Sequence, residues 1–211
     1  MPKSVSAAAY PVKQVLELPF EAQCTGVWCY ASVSQSVIEY LTGRKLTQKK
    51  IVEGVIGKGG ANSEKNMGNP YEYLDSLGLI QELNPSTGPP PWATIQREIN
   101  ANHPIIVKVG IHYILIVGYE GKSGADKYRR LFFLDPLVGL VVLYASDEGT
   151  GESHYRGGFP TGAAGAAAGA GPSEIIREGW KGYILTKRPD EAGAARGGAK
   201  KRRITRRLKK Y

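Results

Sequence analysis

The chain has 211 residues, among them two cysteines and three histidines. Cys24 and Cys29 both lie in the stretch QCTGVWCYASVSQSVIEYL, and an apolar pattern of helical period begins at the second of them. Thiols placed in this way suit three kinds of site. They could form a disulfide, contribute half of a metal site, or supply one reactive nucleophile with an inert neighbour.

The first two kinds of site find little support. A structural zinc ion takes four Cys or His ligands in paired spacings, but this C-x4-C pair has no second pair, and the histidines are scattered at 103, 112 and 154. A Cys24–Cys29 disulfide would close a very short loop, and scarce cysteine is typical of a reducing compartment. We therefore expect no metal, no cofactor and no structural disulfide, although a regulatory disulfide stays open.

Cys29 is the stronger candidate nucleophile of the two thiols. A cysteine at a helix N-terminus meets the positive end of the helix dipole, which favours the reactive thiolate. Cys24 precedes the helix and is expected to be a bystander. The competing interpretation is that Cys29 is a buried small hydrophobic residue, which is the commoner role of a lone cysteine.

A nucleophilic thiol needs a base that later serves as an acid, usually a histidine. His112 opens HYILIVGYE, a predicted strand that would hold its imidazole rigidly; its competing interpretation is a structural histidine. His103 precedes a proline in a loop, and we interpret it as structural or exposed. His154 borders a Gly/Ala-rich stretch, which is a poor place to fix a catalytic base.

The imidazole in turn needs an acceptor that orients it. No Asn or Gln follows Asn102, and Asp135 is the aspartate that ends an apolar strand, in RLFFLDPLVG. An ordinary Asp-Pro turn is the competing interpretation. Gln23, six residues before Cys29, could join the Cys29 N–H as a donor to the oxyanion of an acyl-transfer intermediate.

Periodicity and capping residues predict the elements that position these side chains. Four helices are expected in the N-terminal half, and short β-branched or aromatic runs after His103 predict antiparallel strands, with a last strand in GWKGYILTK. The expected helices are CYASVSQSVIEYLTG, TQKKIVEGVIG with Thr47 as cap, NPYEYLDSLGL with Asn69 as cap, and WATIQREINAN. This order indicates an α+β fold.

Composition divides the chain into a lead-in (1–22), a folded domain (23–186) with a flexible Gly/Ala-rich insertion (157–173), and a basic tail (187–211) that we expect to be disordered. Nine of the 28 Lys and Arg residues lie in 196–211, which contains no acid, so the 19 that remain equal the 19 acidic residues. The net charge of +9 therefore resides in the tail and says nothing about the binding surface of the domain.

The basic tail suits contact with nucleic acid or an anionic surface, or it simply aids solubility. Its clusters at 187–188 and 200–203 fit a two-part nuclear import signal, a pattern with many false matches. No apolar run is long enough for a membrane helix, and the N-terminus lacks the apolar core of a secretory signal. We expect a cytoplasmic protein, or one delivered into another cell without a cleavable signal peptide.

These residues together resemble the papain-like cysteine peptidases. In that family a Gln lies six residues before the nucleophilic Cys, which opens a long helix and is followed by an aromatic residue; the His and an Asn or Asp lie on later strands. QCTGVWCYA matches this pattern. HPIIVKVGIHYILIVGYE followed by FFLDP looks like the compact bacterial branch, which includes bacteriocin-leader-processing peptidases and papain-like type III effector peptidases. The resemblance covers about residues 15–145, with the last strand near 180–186.

Two positions depart from the papain pattern. Tyr30 stands where the family usually has Trp, with Trp28 on the other side of Cys29, and the third member is Asp135, as in the bacterial branch, instead of Asn. The spacings of 83 residues from Cys29 to His112 and 23 more to Asp135 are too short for a full-length papain but suit the compact branch.

The resemblance implies a papain-like α+β fold and a thiol protease that acts on protein or peptide substrates. Because it includes the type III effector peptidases, it also admits a translocated bacterial effector. It assigns Cys29, His112 and Asp135 to a catalytic triad and Gln23 to the oxyanion hole. Two alternatives stay open: acyl transfer on the same triad, as in phytochelatin synthases, and a non-catalytic papain-like binding protein whose tail contacts nucleic acid.

Overall fold

The structure is a computed structural model that describes residues 13–59, 68–85, 90–121, 129–146, 154–156 and 180–189. The Gly/Ala-rich insertion, residues 1–12 of the lead-in and residues 190–211 of the basic tail lie outside these ranges. Flexibility of the insertion, disorder of the tail and nuclear import therefore stay predictions from the sequence.

Four helices occur in the described ranges, and their caps agree with the sequence. They are α1 (Cys29–Thr42), α2 (Gln48–Ile56), α3 (Pro70–Ser76) and α4 (Trp92–Asn100). The Thr47 hydroxyl accepts the Lys50 N–H at the start of α2, and the Asn69 side chain accepts the Tyr71 N–H at the start of α3. Helix α1 ends at Gly43, whose φ of 70° lies in the left-handed region that glycine adopts with least strain.

The described strands form one antiparallel sheet. They are β1 (Lys13–Val15), β2 (Ile80–Asn84), β3 (Ile105–Val109), β4 (His112–Glu120), β5 (Arg130–Asp135), β6 (Gly139–Ser146), β7 (His154–Arg156) and β8 (Trp180–Thr186). Their order across the sheet is β2-β8-β3-β4-β5-β6-β7, and β1 also pairs with β4. The fold is thus a mixture of helices and antiparallel sheet, as the sequence predicted.

Strand β1 extends the sheet at a point where β3 stops. The β3–β4 pairing ends at Ile116, and from Gly118 onward β1 lies beside β4. A β-carbon on Gly118 would lie 2.7 Å from the Gln14 carbonyl oxygen, so this close approach of two backbones requires glycine. Strands β1, β2 and β7 were not predicted from the sequence.

Helices cover both faces of the sheet. Along β4, alternate side chains enter two cores: one on the side of α1 and one on the side of α4. Tyr113, Leu115 and Val117 belong to the first core, whereas Ile114 and Ile116 belong to the second. A slip of one residue would exchange these two sets, so burial fixes the register of β4 and with it the place of its first residue.

Within the described ranges, no helix combines the length and the apolar character that a membrane crossing requires.

Candidate active site

His112 and Asp135 meet at the ends of neighbouring strands. His112 is the first residue of β4 and Asp135 the last residue of β5, and His112 Nε2 lies 2.9 Å from Asp135 Oδ1. The Asp135 side chain is 4% exposed and that of His112 is 14% exposed. A buried carboxylate needs hydrogen-bonding partners, and Asp135 Oδ1 also accepts the Leu137 N–H.

Cys29 is the first residue of α1, and the fold brings it to the same imidazole. Interaction with Cys29 is one of the causes that raise the pKa of His112, which places the thiol beside this ring. Because Asp135 engages Nε2 of the ring, Nδ1 is the nitrogen that remains for the thiol. Cys29 is 2% exposed and belongs to the core on the α1 side. A small hydrophobic role for Cys29 predicts its burial, but such a role does not predict the interaction of Cys29 with an imidazole.

The environment of His112 favours its charged form. Burial lowers the pKa of His112, but hydrogen bonds and charge interactions with Asp135 and Cys29 outweigh burial and raise it from 6.5 to about 9. The imidazolium is therefore the main form at neutral pH. A fixed positive charge beside a thiol can stabilise negative charge on the sulfur.

Gln23 lies in the loop before α1 and is half-buried. Its backbone N–H donates to the Pro136 carbonyl at 3.0 Å, which ties this loop to the turn after Asp135. Its Nε2 donates to the Thr25 carbonyl at 2.7 Å and has a second hydrogen to offer. The Cys29 N–H has no acceptor within α1, because the first turn of a helix lacks them.

Gln48, at the start of α2, is a residue that the sequence analysis missed. It is 2% exposed, and its Oε1 accepts the Cys24 N–H at 2.9 Å. Its Nε2 donates to the carbonyls of Ala22, at 2.8 Å, and Glu21, at 3.4 Å. One buried amide thus holds the backbone on both sides of Gln23. No sequence pattern marks it, since a glutamine at a helix start is ordinary.

Two tyrosines lie near Cys29. Burial and the charge of Cys29 raise the pKa of Tyr113 to about 12, and the same causes raise the pKa of Tyr30. Tyr30 is completely buried, and its hydroxyl has no partner within the described part of the chain. Both phenols therefore stay neutral, and neither adds charge beside the thiol.

The other candidates take different places. Cys24 is exposed, both cysteines are free thiols, and burial together with Glu21 raises the pKa of Cys24. His103 is buried, with Nδ1 3.3 Å from Glu98 Oε2, which fits the structural role expected of it. The backbone of His154 lies in β7. Across the described ranges, no three His, Cys, Asp or Glu side chains are arranged to hold a metal ion.

Comparison with models of known protein families gives a match. The model of the Peptidase_C39 like family matches residues 15–146, a segment that contains Gln23, Cys29, His112 and Asp135. No curated protein matches the chain. The match extends over more than half of the 211 residues and confirms the resemblance to cysteine peptidases. On this evidence the chain belongs to the Peptidase_C39 like family and is related to the papain-like cysteine peptidases.

Proposed function

We propose that this protein is a cysteine peptidase with a papain-like layout, in which Cys29 attacks the peptide carbonyl. His112 is its acid and base, Asp135 orients the imidazole, and Gln23 contributes to the oxyanion hole. The observation that carries this proposal is one imidazole that lies 2.9 Å from Asp135 Oδ1 and whose pKa is also raised by interaction with Cys29. That arrangement is the general geometry of a nucleophile, a base and an orienting group.

The first half of the reaction forms an acyl-enzyme. The Cys29 thiolate adds to the carbonyl carbon, and the electron pair of the C=O bond moves to oxygen. The resulting oxyanion accepts hydrogen bonds from the Cys29 N–H and from the second hydrogen of Gln23 Nε2. His112 then donates its Nδ1 proton to the amine nitrogen, the C–N bond breaks, and a thioester remains on Cys29.

The second half releases the acid product. His112, now neutral, takes a proton from water, and the hydroxyl oxygen adds to the thioester carbonyl. Collapse of this intermediate breaks the C–S bond and expels the Cys29 thiolate, which again lies beside the imidazolium formed when His112 took the proton. Throughout both halves, Asp135 Oδ1 holds the ring through Nε2, so that Nδ1 keeps facing the sulfur.

Iodoacetamide labelling at pH 6 tests the nucleophile without knowledge of the substrate. Cys29 should be alkylated much faster than Cys24, because only Cys29 interacts with the His112 imidazolium. Equal and slow labelling of both thiols would contradict the peptidase and favour a non-catalytic binding protein. The Cys24→Ala variant is the matched control and should keep the fast reaction.

Turnover tests the remaining roles. On a peptide mixture, Cys29→Ala should be inactive, and Gln23→Ala should lose about 100- to 1,000-fold in rate while staying folded. Cleavage that persists in Cys29→Ala would refute the assignment. Addition of an amine acceptor separates the two possible reactions, since a transferase yields the acceptor adduct in place of the free acid.

A further inference from the structure

A cavity of about 180 Å³ opens on the side of the sheet that faces α1. Its walls come from four adjacent strands, β2, β8, β3 and β4, and from the residue that caps α3. The lining residues that matter here are Asn69, Ile106, Lys108, Tyr113, Lys181 and Ile184.

The cavity adjoins the candidate active site through β4. Tyr113, which lines it, directly follows His112, and Lys108 on β3 is the register partner of Tyr113. The next pair in that register is Val109 with His112. The charge of Cys29 also acts on the Tyr113 phenol. A side chain in this cavity would therefore belong to a substrate residue near the bond under attack.

The charged residues that line the cavity are positive, and no acidic residue of the lining balances them. These residues are Lys108 and Lys181. Neither lysine forms an ion pair with an acid of the described chain. The Lys108 ammonium lies 5.6 Å from the centroid of the Tyr113 ring, a distance that allows a cation–π contact. Two ammonium groups that share one cavity leave room for an anion.

Apolar side chains also line the cavity, beside the amides of Asn69 and Asn84. Ile106 and Ile184 are buried residues of the core on the α1 side, and both present aliphatic surface to the cavity. A ligand with a short hydrocarbon stem and a negative end therefore matches both the isoleucines and the lysines. Among amino-acid side chains, glutamate and aspartate have this form.

We propose that the cavity beside Tyr113 binds a glutamate or aspartate side chain of the substrate, with Lys108 and Lys181 as the residues that select it. This preference rests on the proposed peptidase function, because the cavity can select a substrate only if Cys29 attacks that substrate. A neutral glutamine of the same length would fill the space but would not neutralise the lysines.

The test uses peptidyl acyloxymethyl ketones, which alkylate the nucleophile of a cysteine peptidase. In matched sets, each peptide position in turn is fixed as Glu, Gln or Lys and the other positions are mixed. Alkylation of Cys29 in the full chain is followed by intact-mass spectrometry, with iodoacetamide as a reference reagent that is too small to need the cavity. At one position, the Glu probe should react roughly tenfold faster than the Gln probe.

Variants of Lys108 then connect the preference to the cavity. Lys108→Met should reduce the advantage of Glu over Gln, and Lys108→Glu should turn the preference toward the Lys probe. Lys50→Gln, an exposed lysine of α2 that does not line the cavity, is the control and should leave the preference unchanged. Iodoacetamide rates equal to those of the wild type show that the variants keep the site folded.

Three negative outcomes are distinguishable. If Cys29 reacts with iodoacetamide no faster than Cys24, the peptidase function fails, and the acidic preference fails with it. If Cys29 reacts fast but Glu and Gln probes label it equally at every position, the acidic preference alone is overturned. Retention of the full Glu preference in Lys108→Glu overturns the role of the cavity.

Discussion

Asp135 Oδ1 accepts from His112 Nε2 at 2.9 Å and from the Leu137 N–H at 2.8 Å. The second bond lies within the turn that follows β5, so this turn holds the carboxylate independently of the histidine. The imidazole thus meets an acceptor whose position is already fixed. Such preorganisation reduces the cost of orienting a catalytic base.

Replacing Asp135 by Asn tests the charge of this acceptor while keeping an oxygen in place. Loss of the negative charge removes one cause of the raised His112 pKa, so the alkaline fall of kcat/KM should move from near pH 9 to lower pH. The rate at neutral pH should fall about 100-fold, the lower range for general acid–base catalysis. Rate measurements from pH 5 to 10 check both effects. An alkaline limb at the same pH in both proteins would contradict the role of Asp135.

The raised His112 pKa also predicts how stability depends on pH. The folded state binds this proton more tightly than the unfolded chain, whose pKa is near 6.5, so the contribution is complete below pH 6.5. It declines as pH rises and is lost above the folded pKa of about 9. The free energy of unfolding, measured by denaturant titration at pH 6, 7.5 and 9, should fall less in His112→Gln than in the wild type. Parallel pH dependence of the two proteins is the contrary result.

Gln48→Ala tests the support of the Gln23 loop. The variant leaves the Cys24 N–H, whose hydrogen bond to Gln48 is partly buried, without its acceptor, and we expect a loss of about 1–3 kcal/mol in the free energy of unfolding. Misplacement of Gln23 should also lower kcat about tenfold or more with a smaller change in KM.

Two further variants separate positioning by Gln48 from general destabilisation. Gln48→Glu keeps the acceptor for Cys24 but loses the donor to the Ala22 carbonyl, so its kcat should lie between those of the wild type and Gln48→Ala. Gln81→Ala, at an exposed position of β2, should match the wild type. If all three variants have the kcat of the wild type, Gln48 does not position the loop.

Gly118→Ala tests the junction of β1 with β4. The added methyl group would lie 2.7 Å from the Gln14 carbonyl oxygen, and forcing the strands apart should cost about 1–3 kcal/mol of stability. Gly59→Ala is the matched control, because a β-carbon there meets nothing within 4 Å. Chemical denaturation of both variants gives the comparison. Equal stability of Gly118→Ala and the wild type would show that β1 moves away from the added methyl group without a loss in the free energy of unfolding.

The helices were predictable because their signals are local. Thr47 and Asn69 are side chains that cap a helix through their own neighbouring N–H groups, and Gly43 stops α1 through its own backbone. The strands from β3 to β6 were predictable for a related reason: they are apolar runs bounded by turn residues. Strands β1, β2 and β7 have three to five residues each, so they offer too few positions for a period to show.

The candidate site was only partly visible in the sequence. Cys29, His112 and Asp135 each stand at the end of a predictable element, and their proximity follows from how those elements pack. Gln48 could not be found in this way, because its role depends on a contact across 24 or more residues with backbone atoms of the loop. The cavity beside Tyr113 could not be predicted from the sequence either, since it combines β3 with β8, which lie far apart in the chain.

Strand β8 lies between β2 and β3, and this placement has a consequence for the order of synthesis. A nascent chain that has reached residue 146 already carries Gln23, Cys29, His112 and Asp135. It still lacks the strand that joins β2 to the rest of the sheet, and β2 pairs with β8 alone in the described part. The cores on both sides are incomplete as well, since Ile184 belongs to one and Leu185 to the other. A ribosome-bound chain of this length therefore holds all four candidate site residues before it holds the strand that joins β2 to the sheet and completes both cores.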